Sequence, residues 1–379
     1  MSGILRVFKR EVREQPAYSL PAAAFRIKLN QNENPFPLPH EIKEEILQAV
    51  AAADWNRYPQ LGSGRLREAV AEWQGLSAEN VLVGNGSNEL LLAVFQAVLE
   101  PGKTLLTVAP TFSLYRHYGR ILGARVAEVP LGERFQFPMK RLLEALEAER
   151  PELAVLCSPN NPTGSALKPE DLRILLREAP GIVLLDEAYA PFNGWNAGAL
   201  LAEHENLILI RTFSKAFAFA FGRFGYALGN AAVFRQVAKV LLPYNLSGLT
   251  ETAAHVLIRH AGDIRKAVAA IVQERERLYR ALCSIPGLQV FPSRANFLLI
   301  EPARSAGMVF EELLRRGILV RNVSGYPGLS NHLRITVGRP GENDEVISAL
   351  REILAPEKLL DSAARKPAGH SFPNGGETP

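Results

Sequence analysis

Residues 182–189, Ile182-Val183-Leu184-Leu185-Asp186-Glu187-Ala188-Tyr189, set four aliphatic side chains directly ahead of two carboxylates. The apolar run has strand length and branched side chains, as expected of a strand covered on both faces. Runs of the same kind recur at 81–83, 105–108, 126–129, 154–157 and 207–210, with helix-length segments between them. Strands that alternate with helices need crossover connections, which predicts a mainly parallel α/β sheet between two helical layers. Ligands of such sheets sit outside the carboxyl ends of the strands.

Helices are predicted over 41–53 and 65–74 on one side of this block. On the other, two helical patterns run through 250–282. Short strands follow at 288–291, 297–300, 318–321 and 333–337, and a helix at 343–354. The expected division is a large domain over 55–245 and a smaller α+β domain formed by 246–355 with the N-terminal arm 1–54. The Pro-, Gly- and charge-rich tail 356–379 is expected to be disordered.

With 379 residues, 47% of them hydrophobic, the chain can bury a large core. Its formal charge of +4 is spread along the sequence and not gathered into basic stripes, which argues against nucleic acid as a partner. A small positive excess suits small anionic ligands. The two cysteines, Cys157 and Cys283, lack metal-site or disulfide spacing, so no metal is expected and the reducing cytoplasm is the default compartment. No apolar run reaches membrane-spanning length, and the N-terminus carries Glu11 and Glu14 in place of a signal core.

The polar residues at the strand ends carry the chemistry. Asp186 closes a fully apolar strand, where its charge is costly unless a cation pairs with it. A protonated pyridine nitrogen fits that demand, although a helix cap would also use an aspartate. Tyr189 stands three residues on, either as a ligand to such a ring or as a core tyrosine. In Arg211-Thr212-Phe213-Ser214-Lys215, at the end of the 207–210 strand and before an expected helix, Lys215 is placed to lose its hydration. Burial lowers a lysine pKa and makes the amine a nucleophile toward aldehydes. A bare Ser-Lys is more often a solvated lysine, so the weight rests on its neighbours.

One of those neighbours is Ser158-Pro159-Asn160-Asn161-Pro162-Thr163-Gly164, whose prolines make a rigid turn able to aim the Asn161 amide. Another is Gly84-Asn85-Gly86-Ser87-Asn88, strand end to helix start, which offers backbone N–H groups and a helix dipole to a phosphate. It matches neither the dinucleotide fingerprint nor the P-loop. Thr212, Ser214 and Arg223 are expected around the same anion. Phe112 follows the 105–108 strand, where a ring can stack on a flat ligand or join the core. In Leu333-Arg334-Ile335-Thr336-Val337 the two-residue period turns Arg334 away from the apolar face, toward a carboxylate, a phosphate or a structural ion pair.

Together with Asn32-Glu33-Asn34-Pro35, Arg57-Tyr58-Pro59 and Tyr326-Pro327-Gly328-Leu329, these strings occur in an order that resembles the histidinol-phosphate aminotransferases. That family lies within the fold-type I pyridoxal-phosphate aminotransferases, and the likeness spans 29–354. It implies a large domain with a mainly parallel, seven-stranded type of sheet, a smaller α+β domain, and pyridoxal 5′-phosphate as cofactor. Lys215 is then the residue that forms the imine and carries the proton, Asp186 pairs with the ring nitrogen, and Asn161 and Tyr189 bind the ring's phenolic oxygen. Phe112 stacks on the ring. Gly86, Ser87, Asn88, Thr212, Ser214 and Arg223 hold the phosphate, with Tyr58 reaching the partner subunit's site in a homodimer that shares its active sites.

The likeness also implies that Asn34, Arg321 and Arg334 bind substrate. The implied reaction moves an amino group between L-histidinol phosphate with 2-oxoglutarate and imidazole acetol phosphate with L-glutamate. The alternatives are an aromatic amino-acid aminotransferase, a threonine-phosphate decarboxylase on the same fold, or a non-catalytic cofactor-binding protein. One departure stands out: Ala216-Phe217-Ala218-Phe219-Ala220-Phe221 replaces the small residues and leucine usual after the lysine. The rings at Phe219 and Phe221 are expected to repack the wall near the cofactor.

Overall fold

The structure, a computed structural model, describes residues 3–15 and 24–355, so the disorder expected of 356–379 lies outside the described residues. The chain runs through α1 (Arg10–Arg13), β1 (Ile27–Lys28), α2 (His40–Ala51), α3 (Gly64–Gln74), β2 (Val81–Asn85) and α4 (Ser87–Val98). It continues through β3 (Thr104–Ala109), α5 (Ser113–Ile121), β4 (Arg125–Pro130), α6 (Met139–Glu149), β5 (Leu153–Cys157), α7 (Pro169–Glu178), β6 (Ile182–Asp186), β7 (Leu207–Thr212) and β8 (Phe224–Gly229). The remaining elements are α8 (Ala231–Val237), α9 (Gly248–Arg259), α10 (Ala261–Cys283), β9 (Leu288–Phe291), β10 (Phe297–Pro302), α11 (Ala306–Arg315), β11 (Ile318–Leu319), β12 (Arg321–Asn322), β13 (Leu333–Thr336) and α12 (Pro340–Leu354).

Seven strands form the main sheet in the order β2-β8-β7-β6-β5-β3-β4. The six strands read from the sequence are all present, and β6 lies at the centre with β5 and β7 parallel on either side. Every residue of β5 is buried, and so are the last four of β6, because helices cover both faces. The seventh strand, β8, completes the seven-stranded sheet that the resemblance implies but is not among the apolar runs read above; it pairs antiparallel with both β2 and β7. It replaces the helix predicted after Lys215. Residues 213–223 turn back instead, with Ala218 and Arg223 in left-handed backbone conformations. In that turn Phe213 and Phe217 stack at 3.8 Å between ring centres, and both rings are buried.

A four-stranded antiparallel sheet, β12-β13-β10-β9, forms a second layer. The single strand expected over 318–321 is two short ones in different sheets: β11 runs parallel to β1, and β12 pairs with β13. The change of sheet at buried Val320 lets one segment anchor the N-terminal arm and then deliver Arg321 opposite Arg334. Arg275 of α10 braces the two layers. Its buried guanidinium donates to the carbonyl of Phe192, beyond β6, at 3.2 Å and to that of Ala295, ahead of β10, at 3.0 Å, and pairs with Glu276.

Leu184 sits fully buried in the middle of the central strand. Leu184→Ala should destabilise the fold by about 2–5 kcal/mol, the usual cost of a core cavity with partial collapse, read as a lower urea midpoint at unchanged slope.

Candidate active site

A cavity of about 240 Å³ opens at the carboxyl ends of β5, β6 and β7, between the two sheets. Its walls include Ser87, Asn88, Phe112, Asn161, Asp186, Tyr189, Thr212, Ser214, Lys215, Arg223, Arg321 and Arg334, so twelve of the fifteen residues singled out in the sequence meet in one place. Gly86, Asn34 and Tyr58 do not line it. Gly86 lies directly behind the wall: a Cβ there would stand 2.5 Å from Nη2 of Arg223. The Asn34 amide donates to the carbonyl of Ala216 at 3.0 Å. Tyr58 is 81% exposed and stacks on Tyr244 at 4.6 Å, on an outer surface beside a second, larger groove.

The floor is built around Asp186. Its carboxylate accepts the phenol O–H of fully buried Tyr115 at 2.7 Å and the Ala188 N–H at 3.0 Å. Burial pushes its pKa up, and these two hydrogen bonds pull it partly back. The carboxylate is therefore preorganised but short of positive charge. Cys157, the register partner of Asp186 on β5, also lines the cavity, and burial raises its pKa well above the usual thiol range.

Lys215 faces this floor. Its Nζ donates to the carbonyl of Gln31 at 2.7 Å, and burial, helped by the charge of Arg334, lowers its pKa from 10.5 to about 8. At pH 7 about a tenth is then the free amine, far more than for a lysine at its usual pKa. Tyr189 is buried and its pKa is raised, so it stays a phenol; its oxygen accepts from Nδ2 of Asn32 at 2.9 Å, which leaves the O–H to donate. Asn32 is locked in turn, at a left-handed φ of 55°, by exchanging hydrogen bonds of 2.9 and 3.0 Å with the Thr336 hydroxyl.

Arg334 reaches across from β13. It donates from Nη1 to Oδ1 of Asn161 at 2.5 Å and from Nη2 to the Asn30 carbonyl at 2.7 Å, and it lies 5.2 Å over the Phe297 ring. Arg321 is its direct cross-strand partner. Like charges in directly paired positions repel, a repulsion that an anion between them would relieve.

At the other end of the cavity α4 begins at Ser87 with no side chain capping it. Arg223 points there and donates to the Ser214 hydroxyl at 3.1 Å. Close approach is possible because a Cβ on Gly225 would lie 2.4 Å from the Ser87 nitrogen. Uncapped N–H groups, an arginine and hydroxyls form an anion cradle that any side chain at 86 or 225 would fill. A phosphate in that cradle, a flat ring against Phe112 with a basic nitrogen near Asp186, and an aldehyde within reach of Lys215 describe one molecule, pyridoxal phosphate, and the residues fit it.

The aromatic run after Lys215 does not act as expected. Phe217 stacks on Phe213 and meets Trp73 edge-on at 5.5 Å, Phe219 fills the space beneath Gly222, and Phe221 is 99% exposed. None of the three lines the cavity. Three contributors were not singled out in the sequence: Tyr115, Asn32 and Cys157. Tyr115 carried a usable signal, since it lies one helical turn beyond Phe112 on the same face.

Residues 26–350 match the family model of class I and II aminotransferases. The chain is 39% identical to a histidinol-phosphate aminotransferase of Caldanaerobacter subterraneus, over 93% of this chain and all of that protein. It is 41% identical to the one from Thermococcus gammatolerans, over 90% of this chain and 96% of that protein. Among solved structures it superposes on histidinol-phosphate aminotransferase from Sinorhizobium meliloti in complex with pyridoxal-5′-phosphate (TM-score 0.82, 24% identity, 92% and 97% of the two chains). A similar superposition is found with L-threonine-O-3-phosphate decarboxylase from Porphyromonas gingivalis (TM-score 0.78, 23% identity, 87% and 99%).

Two outcomes follow from the geometry. A group with a pKa near 8 is deprotonated as pH rises through that value, so capture of pyridoxal phosphate by the cofactor-free protein should accelerate up to about pH 9 and then level off. A rate still climbing at pH 10 would mean an ordinary lysine. Removing the O–H that Asp186 accepts, by Tyr115→Phe, should weaken cofactor binding by about 1.5–3 kcal/mol, the worth of a hydrogen bond to a charged group, in an absorbance titration.

Proposed function

Because this chain belongs to the class I and II aminotransferases, we propose that it transfers the amino group of L-histidinol phosphate to 2-oxoglutarate, yielding imidazole acetol phosphate and L-glutamate, as in histidine biosynthesis. The observation that carries the reading is a buried amine, Lys215, set between one carboxylate, Asp186, and the paired arginines Arg321 and Arg334. Relatives about 40% identical over nine-tenths of the chain are histidinol-phosphate aminotransferases.

Pyridoxal phosphate, when bound, supplies an aldehyde carbon and a ring able to accept the electron pair left when a bond at the amino carbon breaks. Its holders would be Ser87, Asn88, Thr212, Ser214 and Arg223 at the phosphate, with Gly86 leaving room, and Phe112 at the ring face. Asp186 keeps a proton on the ring nitrogen through its buried negative charge, and Tyr115 keeps Asp186 oriented. Tyr189 and Asn161 would donate to the phenolic oxygen. Lys215 would hold the aldehyde carbon, and its Nζ, with a pKa near the working pH, would move a proton at the substrate's amino carbon.

Arg321 and Arg334 bind the phosphate of histidinol phosphate in one half of the cycle and glutamate carboxylates in the other. A planar guanidinium serves both anions. Asn34 does not line the cavity; its amide holds the Ala216 carbonyl, next to Lys215. In a homodimer with shared sites Tyr58 would reach a second subunit's cofactor phosphate; its exposure outside its own cavity supports that reading. Cys157 and Cys283 are both free, in keeping with a cytoplasmic enzyme, and no helix among the described residues is long and apolar enough to cross a membrane.

Lys215→Ala should abolish borohydride-fixed labelling by pyridoxal phosphate and nearly all turnover; normal turnover in this variant refutes the assignment. In half-reactions with histidinol phosphate, tyrosine, phenylalanine, glutamate and threonine phosphate, histidinol phosphate should be the preferred donor. A preference for the aromatic amino acids, or carbon dioxide release from threonine phosphate, moves the chain to one of the other activities of this fold. Arg334→Ala should raise KM for histidinol phosphate by about 10²-fold, corresponding to loss of a charged hydrogen-bonded contact.

A further inference from the structure

Apart from the main core, a second small apolar cluster joins Phe291, Leu299, Val323 and Leu329, with Phe135 and Tyr326 packed against it. Its members come from three places. Phe291 and Leu299 lie on β9 and β10 of the four-stranded sheet. Val323, Tyr326 and Leu329 belong to the excursion 323–332 that leaves β12 and returns into β13. Phe135 alone belongs to the seven-stranded side, in the turn after β4.

The excursion is small and internally tied. Val323 N–H donates to the His332 carbonyl at 3.2 Å, Tyr326 N–H to the Val323 carbonyl at 3.0 Å and Leu329 N–H to the Tyr326 carbonyl at 3.1 Å. Its base is formed by the strands that carry Arg321 and Arg334, and its tip presents Tyr326, which lines the cavity beside Arg321. Phe135 reaches it from across the cleft. Its ring meets Phe291 at 4.9 Å and His332 at 5.7 Å, both edge-on, while Phe291 and His332 lie 5.6 Å apart.

To reach that position the backbone adopts left-handed conformations at two successive non-glycine residues, Arg134 at φ 50° and Phe135 at φ 62°. Such a pair is unfavourable for L-residues and persists only where contacts hold it. The turn is closed by Gly132 N–H to the Gln136 carbonyl at 2.8 Å and Phe135 N–H to the Gly132 carbonyl at 3.0 Å, but neither bond points the ring. The ring is pointed by Phe291 and His332.

We propose that Phe135 is a positioning residue: it clamps the 323–332 excursion to the cofactor-bearing half of the molecule, so that Tyr326 and Arg321 stand at the substrate's anionic end. The clamp touches no cofactor ligand, which separates its effect from theirs. This inference rests on the substrate reading above for its kinetic arm only.

The test uses the cofactor-loaded enzyme and two variants. Phe135→Ala removes the ring; Phe135→Leu keeps apolar bulk. Hydrogen exchange of the amides over 323–332 should speed up roughly tenfold in the alanine variant and much less in the leucine variant, because opening this unit loses an aromatic contact. KM for histidinol phosphate should rise by a similar roughly tenfold factor, with kcat and pyridoxal phosphate affinity unchanged. Unaltered exchange over 323–332 overturns the clamp. Faster exchange with unaltered KM overturns its role in substrate binding, as does a parallel loss of cofactor affinity. Should the unmodified enzyme fail to turn over histidinol phosphate, the substrate reading falls while the exchange measurement still decides the clamp.

Discussion

Four cationic side chains, Lys215, Arg223, Arg321 and Arg334, and a single buried carboxylate, Asp186, line one cavity of about 240 Å³. In a poorly hydrated space that imbalance is unfavourable. Part of it is relieved within the chain, by the amine of Lys215 giving up its proton easily and by Arg334 donating to neutral oxygens of Asn161 and Asn30. Anions at the two ends would offset it further: a phosphate at the start of α4 would meet Arg223, and a substrate phosphate or carboxylate would meet Arg321 and Arg334 on the proposed reading. Asp186 is offset from both, deep in the floor, where a cation would pair with it. On that reading cofactor and substrate complement the charge of the cavity, and the imbalance favours their binding.

The sheet makes this arrangement possible. Parallel strands bring all their carboxyl ends to one edge, so Asn161, Asp186 and Thr212, far apart in sequence, stand side by side beyond β5, β6 and β7. The ladder continues into the site itself: Ser158 N–H donates to the Asp186 carbonyl at 3.0 Å and Glu187 N–H to the Ile210 carbonyl at 2.8 Å. Glu187, pointing the other way from Asp186, pairs with Arg211 at 2.8 Å and accepts the Ala197 N–H at 2.6 Å. One acidic residue thus fixes the reverse side of the strand end while its neighbour faces the cavity. Such doubly held positions keep the Asp186 carboxylate from relaxing toward water.

The parts legible in the sequence were those governed by local rules. Strand length, apolar runs and glycine turns gave the parallel strands, and the coincidence of Asn161, Asp186 and Lys215 at strand ends gave the floor of the site. The parts that were not legible depend on partners remote in the chain. Helix was expected after Lys215 because strands and helices alternate along this part of the chain, but the pairing of β8 with β2 and β7 returns the segment to the sheet. Asn32 could not be distinguished as a ligand to Tyr189 without knowing that β13 places Thr336 beside it. Tyr115 was not singled out, because its role rests on a hydrogen bond to Asp186, 71 positions away in the chain.

The aromatic run 217–221 shows how the same logic limits what a sequence departure can mean. Lys215 and Arg223 are fixed at the two ends of the turn, one by the Gln31 carbonyl and the other by Ser214 and the Ala220 carbonyl. Between those anchors the side chains point outward or into the core: Phe217 toward Trp73, Phe219 under Gly222, Phe221 to the surface. Changing their size therefore alters the packing behind the turn and the outer face, not the cavity wall. The residues that touch the cavity from the side of the four-stranded sheet are Arg321, Tyr326 and Arg334, so on the proposed reading substrate choice lies with them and with how that sheet is held against the larger one.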